Sequence, residues 1–305
     1  MNLKPGLHWL TCMFGLPVGQ EQRLVDAAKM GTNAGATFFE LAHGLTEIPA
    51  SVIAESLKEG GMNEAAICVF FGSEMGNPLG RGGELETACS HFDKAIMMLR
   101  DLRSQGITCN TITGPSCLPL GLETGLSREE ITHRIRMFFK EFRTDILMSK
   151  SNISIGLLRN EENRTFKDIK HWMKVIDLLN DDFHLEDRKV FSAHVDVHHI
   201  ASRGWDTAKT ILALGKRTGY LDFHGMRRVP IGSTNDQKMP WANILTALNE
   251  ALPNETLKMC YSPFGEEVRD ECPDLDIGLP ESARELAEMI QSFEDLQKIG
   301  FNFVA

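Results

Sequence analysis

The chain has 305 residues, of which 42% are hydrophobic and 24% are charged, and this composition excludes a disordered or collagen-like protein. The net charge of −10 predicts no nucleic-acid partner, because phosphate affinity needs a basic surface. No apolar run reaches the roughly 18 residues of a membrane span. The seven cysteines are scattered, odd in number and without a CxxC pair, which predicts reduced thiols in a cytoplasmic protein.

Short apolar runs alternate with segments of helical period along the whole chain. Because the runs are continuous rather than alternating, they predict parallel strands covered on both faces. In chain order, strands are predicted at 7–14, 37–42, 65–72, 107–113, 153–158, 191–197, 219–224 and 256–261, and helices at 20–30, 49–59, 84–104, 127–143, 165–180, 206–214, 241–251 and 281–299.

Local signals support several of these boundaries. Ser127 and Glu130 have the spacing of a capping box, in which the two residues satisfy each other's backbone donors. Pro49 suits the first turn of a helix. Eight βα units predict an α/β protein with a single (β/α)8 TIM barrel spanning 1–305 as one domain. A doubly wound sheet is disfavoured, since no GxGxxG or GxxxxGK[ST] motif follows a predicted strand.

The function of such a barrel lies where its strands end. The sixth predicted strand runs into Asp196 and His199, a D-x-x-H pair, with His194, His198 and Arg203 nearby. A carboxylate and an imidazole at this spacing can converge on a divalent metal or on a substrate hydroxyl. The alternative is a surface loop that is merely rich in histidine.

Other predicted strand ends carry further candidates for the site. They are His8 and Trp9 of the first strand, Glu40 and His43 at the end of the second, Arg159, Glu161 and Glu162 after the fifth, and His224, Arg227 and Arg228 at the end of the seventh. An arginine fork could hold a hydroxyl, carboxylate or phosphate. Structural alternatives stay open, namely a satisfied core histidine for His224, a core aromatic for Trp9 and acids placed at a helix N-terminus for Glu161 and Glu162.

The joint order of these motifs resembles the xylose-isomerase-like TIM-barrel superfamily, and within it the sugar isomerases and epimerases, including the ketose 3-epimerases. The resemblance rests on D-x-x-H after strand six, histidine then arginine and a glycine-containing loop before Trp241, and S-P-F after strand eight. It implies a divalent metal held by Glu, Asp, His and Glu from strands five to eight, with the two glutamates moving a proton between substrate carbons. Asp196 and His224 match the metal-binding aspartate and histidine, His199 matches a substrate-contacting histidine, and Arg227 or Arg228 matches a substrate-contacting arginine.

The two glutamates of the resemblance have no counterpart here. Gly156, or Asn160 in a shifted register, stands at the first position, and Ser262 or Tyr261 stands at the second. We therefore expect an incomplete site for Mn, Mg, Co or Zn, with Asp196 and His224 as metal ligands. The expected catalytic groups are His199 and Glu162, and the expected substrate-binding groups are Trp9, Glu40, Arg159, His198, Arg227 and Arg228.

Three functions remain open on the sequence. The first is a sugar or sugar-derivative isomerase or epimerase with a rearranged site. The second is a lyase or dehydratase acting on a keto-sugar or sugar acid, with a histidine as base. The third is a non-catalytic, metal-free sugar-binding relative. In each case the expected partner is a small sugar or sugar acid, and a homo-oligomer is compatible with the sequence.

Overall fold

The structure is a computed structural model that describes residues 1–8, 21–33, 35–42, 48–72, 75–116, 125–157, 166, 168–185, 188–223, 239–262 and 298. Eight parallel strands form a closed barrel in chain order, and the last strand pairs with the first. The predicted (β/α)8 TIM barrel is therefore confirmed. The strands are β1 (Asn2–His8), β2 (Phe38–Ala42), β3 (Glu64–Phe70), β4 (Thr108–Ser116), β5 (Asn152–Gly156), β6 (Phe191–Asp196), β7 (Thr218–Phe223) and β8 (Thr256–Tyr261).

Helices cover the outside of the barrel between successive strands. They are α1 (Glu21–Asn33), α2 (Ala50–Glu59), α3 (Gly83–Ser104), α4 (Arg128–Glu141), α5 (Arg143–Met148), α6 (Ile169–Asp182), α7 (Val197–Ser202), α8 (Thr207–Leu214) and α9 (Trp241–Ala251). The cap predicted at Ser127 is present, since its hydroxyl accepts a hydrogen bond from the Glu130 amide at 3.1 Å. Within the described ranges, no helix is long and apolar enough to cross a membrane.

The first strand differs most from its prediction. It begins at Asn2 rather than at residue 7, and it pairs with β8 from Asn2↔Thr256 to Leu7↔Tyr261. The prediction followed the longest apolar run, whereas the ladder includes Lys4, whose ammonium group is neutralised by Glu64. The predicted strand residues 9–14 lie outside the described residues, and so does the predicted helix 281–299 apart from residue 298.

Apolar side chains fill the space between strands and helices, whereas the barrel interior is largely polar. At the amino end of the strands, Glu64 forms ion pairs with both Lys4 and Lys258. In the middle, Phe38 and Tyr220 meet edge to face with ring centroids 6.1 Å apart. Gly6 allows this packing, because a Cβ there would lie 2.2 Å from the Phe38 ring. The carboxyl end of the interior is therefore supported by a packed layer.

Candidate active site

The end of β6 places two of the predicted residues together. Asp196 caps the short helix α7, and its Oδ1 accepts a hydrogen bond from the His199 amide at 3.0 Å. Its Oδ2 lies 3.6 Å from Nε2 of His199. The D-x-x-H spacing thus has a local cause, since an aspartate N-cap accepts from the amide three residues later.

The neighbouring polar residues of β6 and α7 differ in their surroundings. His198 and His199 are both buried, and their ring centroids are 5.7 Å apart. Arg203 instead donates a hydrogen bond to the Phe166 carbonyl at 2.9 Å and lies over the Trp205 ring. The arginine therefore anchors the connection after α7, whereas the histidines accompany Asp196.

Glu40 lies inside the barrel in a buried ion pair. Nδ1 of His8 donates to Oε2 of Glu40 at 2.6 Å, and the Thr113 hydroxyl donates to Oε1. Burial by itself would raise the pKa of Glu40, but the charge and hydrogen bond of His8, together with His194 and Thr113, lower it to about 2. Glu40 is consequently a carboxylate near neutral pH.

A second histidine–carboxylate pair joins β6 to β7. Nε2 of His194 lies 2.9 Å from Oδ2 of Asp222. This is an ion-pair contact that does not have the geometry of a hydrogen bond. Burial opposes a charged imidazole, but the charges of Asp222, Glu40 and Asp196 raise the pKa of His194. Burial and the charge of Glu40 raise the pKa of Asp222. This pair links the interior carboxylates electrostatically to Asp196 at the strand end.

The two pairs meet at a group of potential metal ligands. Side-chain ligand atoms of Glu40, Asp222 and Cys260 all lie within 4.8 Å of one another, and all three residues are buried. Ligand atoms of His8, Glu40 and Cys68 also lie within 4.8 Å of one another. The carboxyl half of the interior therefore holds a compact set of oxygen, nitrogen and sulfur donors.

Gly114 keeps space open beside these groups. Its φ of +69° favours glycine, and a Cβ would lie 3.3 Å from Sγ of Cys68 and 3.7 Å from Nδ1 of His194. Gly114 is a left-handed residue within the continuous strand β4.

Sequence reasoning missed three interior residues, namely Thr113, Asp222 and Cys260. The available signal was the alternation of side chains along a strand, by which every second residue faces the interior. This alternation puts Asp222 on the same face of β7 as Tyr220, and Cys260 on the same face of β8 as Lys258. These three residues lie within the strands rather than beyond their ends.

Eight of the candidate site residues cannot be compared with the structure. They lie outside the described residues and are Trp9, His43, Arg159, Glu161, Glu162, His224, Arg227 and Arg228.

The described residues do not fit the four-ligand metal centre that the resemblance implies. At the carboxyl end of β5, Gly156 has no side chain to coordinate a metal. After β8, Ser262 offers a buried hydroxyl, which has no hydrogen-bond partner among the described residues, but no carboxylate. Asp196 is the one carboxylate that the described residues supply at the expected positions.

Comparison with solved structures finds the same barrel in several sugar epimerases. The D-psicose 3-epimerase of Clostridium cellulolyticum H10, solved with D-tagatose, is 14% identical over 98% of this chain and 99% of that chain, with a TM-score of 0.70. An L-ribulose 3-epimerase is 15% identical over 98% and 96%, with a TM-score of 0.72. A 3-keto-D-glucoside 4-epimerase of E. coli is 11% identical over 97% and 100%, with a TM-score of 0.70.

No family model and no curated protein sequence matches the chain. The structural matches extend over nearly the full length of both partners, and they include a xylose isomerase domain protein of Alicyclobacillus acidocaldarius. The chain therefore has the fold of the xylose-isomerase-like TIM barrels, including the ketose 3-epimerases, as its sequence motifs indicated.

Proposed function

We propose that the protein is a sugar or sugar-derivative isomerase or epimerase, which moves a proton at a carbon beside a carbonyl. The observation that carries the proposal is the Asp196–His199 pair at the carboxyl end of β6, in a barrel that matches sugar epimerases along nearly its whole length. Active sites of TIM barrels are built at this end. Because identities of 10–16% establish the fold alone, the activity itself is our inference.

In this proposal His199 removes the proton, and a second group returns it. An imidazole suits this role because its ordinary pKa lies near neutral pH. Asp196 holds the ring through the 3.6 Å contact and stabilises the positive charge that forms on it. Loss of the proton leaves an enediolate anion, which gives an epimer if the proton returns to the opposite face of the same carbon and an isomer if it returns to the neighbouring carbon.

The remaining roles follow the sequence predictions. We propose Glu162 as the second proton-transfer group and Trp9, Glu40, Arg159, His198, Arg227 and Arg228 as groups that bind or orient the sugar. Asp196 and His224 remain the proposed ligands of a divalent ion at the strand ends. Since Gly156 and Ser262 replace the two family glutamates, no step of the mechanism is assigned to that ion.

The same two positions favour a second candidate, a dehydratase or lyase. Epimerisation needs one group to remove a proton and another to return it, whereas elimination of water can start from one base. With Gly156 and Ser262 at the family's glutamate positions, neither of the family's proton-transfer carboxylates is present, and His199 is the base that we assign beside Asp196.

Solvent isotope exchange tests both candidates. The purified protein is incubated in D₂O with D-psicose, D-fructose, D-tagatose or L-ribulose, and deuterium at the carbon beside the carbonyl is followed by NMR. We expect exchange with formation of an epimer or isomer, and His199→Gln should slow it by about 10²–10⁴-fold. His133→Gln is the matched control, because His133 is exposed on α4.

Other outcomes contradict the first candidate. Elimination of water from a keto-sugar or sugar acid would establish the dehydratase. Saturable sugar binding without exchange would indicate a binding protein. Equal rates for His199→Gln and the wild type would remove His199 from the mechanism.

A further inference from the structure

A second set of potential ligands lies inside the barrel, on strands other than the β6 strand of Asp196. It consists of Glu40 on β2, Asp222 on β7 and Cys260 on β8, whose ligand atoms all lie within 4.8 Å of one another. Each of the three residues is at least 94% buried, with exposures of 1%, 6% and 0%. The family resemblance assigns its metal to different residues of strands five to eight, and to none on β2.

One buried oxygen atom of this cluster has no hydrogen-bond donor among the described residues. Oδ2 of Asp222 contacts His194, but Oδ1 has no hydrogen-bond partner among the described residues, although it is fully buried. A buried carboxylate oxygen without a donor is costly, and the neighbouring Glu40 carboxylate adds repulsion. Burial and this negative charge raise the pKa values of both Asp222 and Cys260.

We propose that Glu40, Asp222 and Cys260 bind a divalent metal ion of the zinc class. A thiolate in the donor set favours zinc or cobalt over magnesium or manganese, which prefer oxygen ligands alone. Three protein ligands leave a fourth tetrahedral position, as in zinc sites that bind water or a substrate.

The surroundings of the cluster suit this role. His8 and Thr113 donate hydrogen bonds to Glu40, and His194 contacts Asp222. Outer groups of this kind orient ligating carboxylates and are a regular part of metal sites. A dication would also favour the ionised forms of Asp222 and Cys260, which the protein environment alone disfavours.

Cobalt substitution tests the site through a spectroscopic signal. The full-length protein is stripped with a chelator and titrated with Co²⁺, and a cobalt–thiolate bond produces a charge-transfer absorption in the near ultraviolet. We expect this band with the wild type, its displacement by Zn²⁺, its loss in Cys260→Ser and at least ~10-fold weaker Co²⁺ binding in Asp222→Asn. Cys109→Ser is the matched control, because Cys109 is a buried thiol of the outer core and should leave the band unchanged.

Two further variants separate this site from its alternatives. Asp196→Asn should retain the band, and its loss there would place the metal at the strand ends instead. Cys68→Ser should also retain the band. A band lost in Cys68→Ser but kept in Cys260→Ser would instead place the metal at the His8–Glu40–Cys68 group. Circular dichroism checks that each variant is folded, and if Cys260→Ser does not fold, Asp222→Asn decides.

Absence of the band in the wild type would overturn the inference. The absorption reports a metal–sulfur bond and the isotope exchange reports turnover. Failure of this inference is therefore distinguishable from failure of the proposed function.

Discussion

Substitution of Glu64 by Gln should destabilise the barrel at the amino end of its strands. Glu64 contacts two ammonium groups, with Oε1 at 2.9 Å from Nζ of Lys258 and Oε2 in contact with Lys4. The side chains retain 13%, 15% and 24% exposure for Glu64, Lys258 and Lys4, respectively. The variant leaves two largely buried positive charges close together without their shared carboxylate.

The size of this loss follows from distance and burial. At 2.9 Å and an effective dielectric constant of about 20, one contact contributes about 6 kcal/mol of gross attraction. Most of this attraction offsets the free-energy cost of removing the charges from water. Solvent near the partly exposed side chains screens the remaining attraction. Removing one partner of a fully buried pair costs about 3–5 kcal/mol, so we expect about 2–3 kcal/mol for this partly exposed triad.

Urea unfolding of the wild type and Glu64→Gln at pH 7 and pH 3 measures the effect. Burial by itself would raise the pKa of Glu64, but Lys258 and Lys4 lower it below its ordinary value. The stabilisation is therefore complete above the ordinary glutamate pKa of about 4.3 and is lost as the pH falls through the lowered pKa. The difference between the two proteins should be smaller at pH 3 than at pH 7.

Glu59→Gln is the matched control for this experiment. Glu59 pairs with Lys29 at 3.2 Å, but the side chains are 60% and 47% exposed. Such a surface pair contributes less than about 1 kcal/mol. Equal losses for the two variants, or a Glu64→Gln effect that is the same at both pH values, would refute the reasoning.

Two further predictions concern local packing and capping. Gly6→Ala should lower the free energy of unfolding by about 1–3 kcal/mol, because the new Cβ meets the buried Phe38 ring. In a double-mutant cycle with Phe38→Leu, the loss in the double variant should be less than the sum of the two single losses. Strict additivity would argue against this contact. Ser127→Ala should cost about 1 kcal/mol in urea unfolding, because the Glu130 amide loses its acceptor, and an unchanged midpoint would contradict the cap.

The part of the site that sequence reasoning located depends on local structure. Asp196, His198 and His199 follow a recognisable buried strand, and a strand end in this fold points to the site. The partners of Glu40 were not accessible in this way, since the Thr113 hydroxyl is 73 residues away along the chain. Asp222 and Cys260 lie within apolar runs, where a single polar residue attracts little notice.

The sequence by itself determined the eightfold alternation, most strand and helix boundaries and the D-x-x-H motif, because these follow from hydrophobic period, capping and short-range hydrogen bonds. Closure of the barrel decided the rest. It brings β1 beside β8, joins Lys4 and Lys258 through Glu64, and collects Glu40, Asp222 and Cys260 in one buried cluster. Each of these contacts depends on strand register and on which face of a strand points inward, and both are properties of the closed sheet rather than of any one segment.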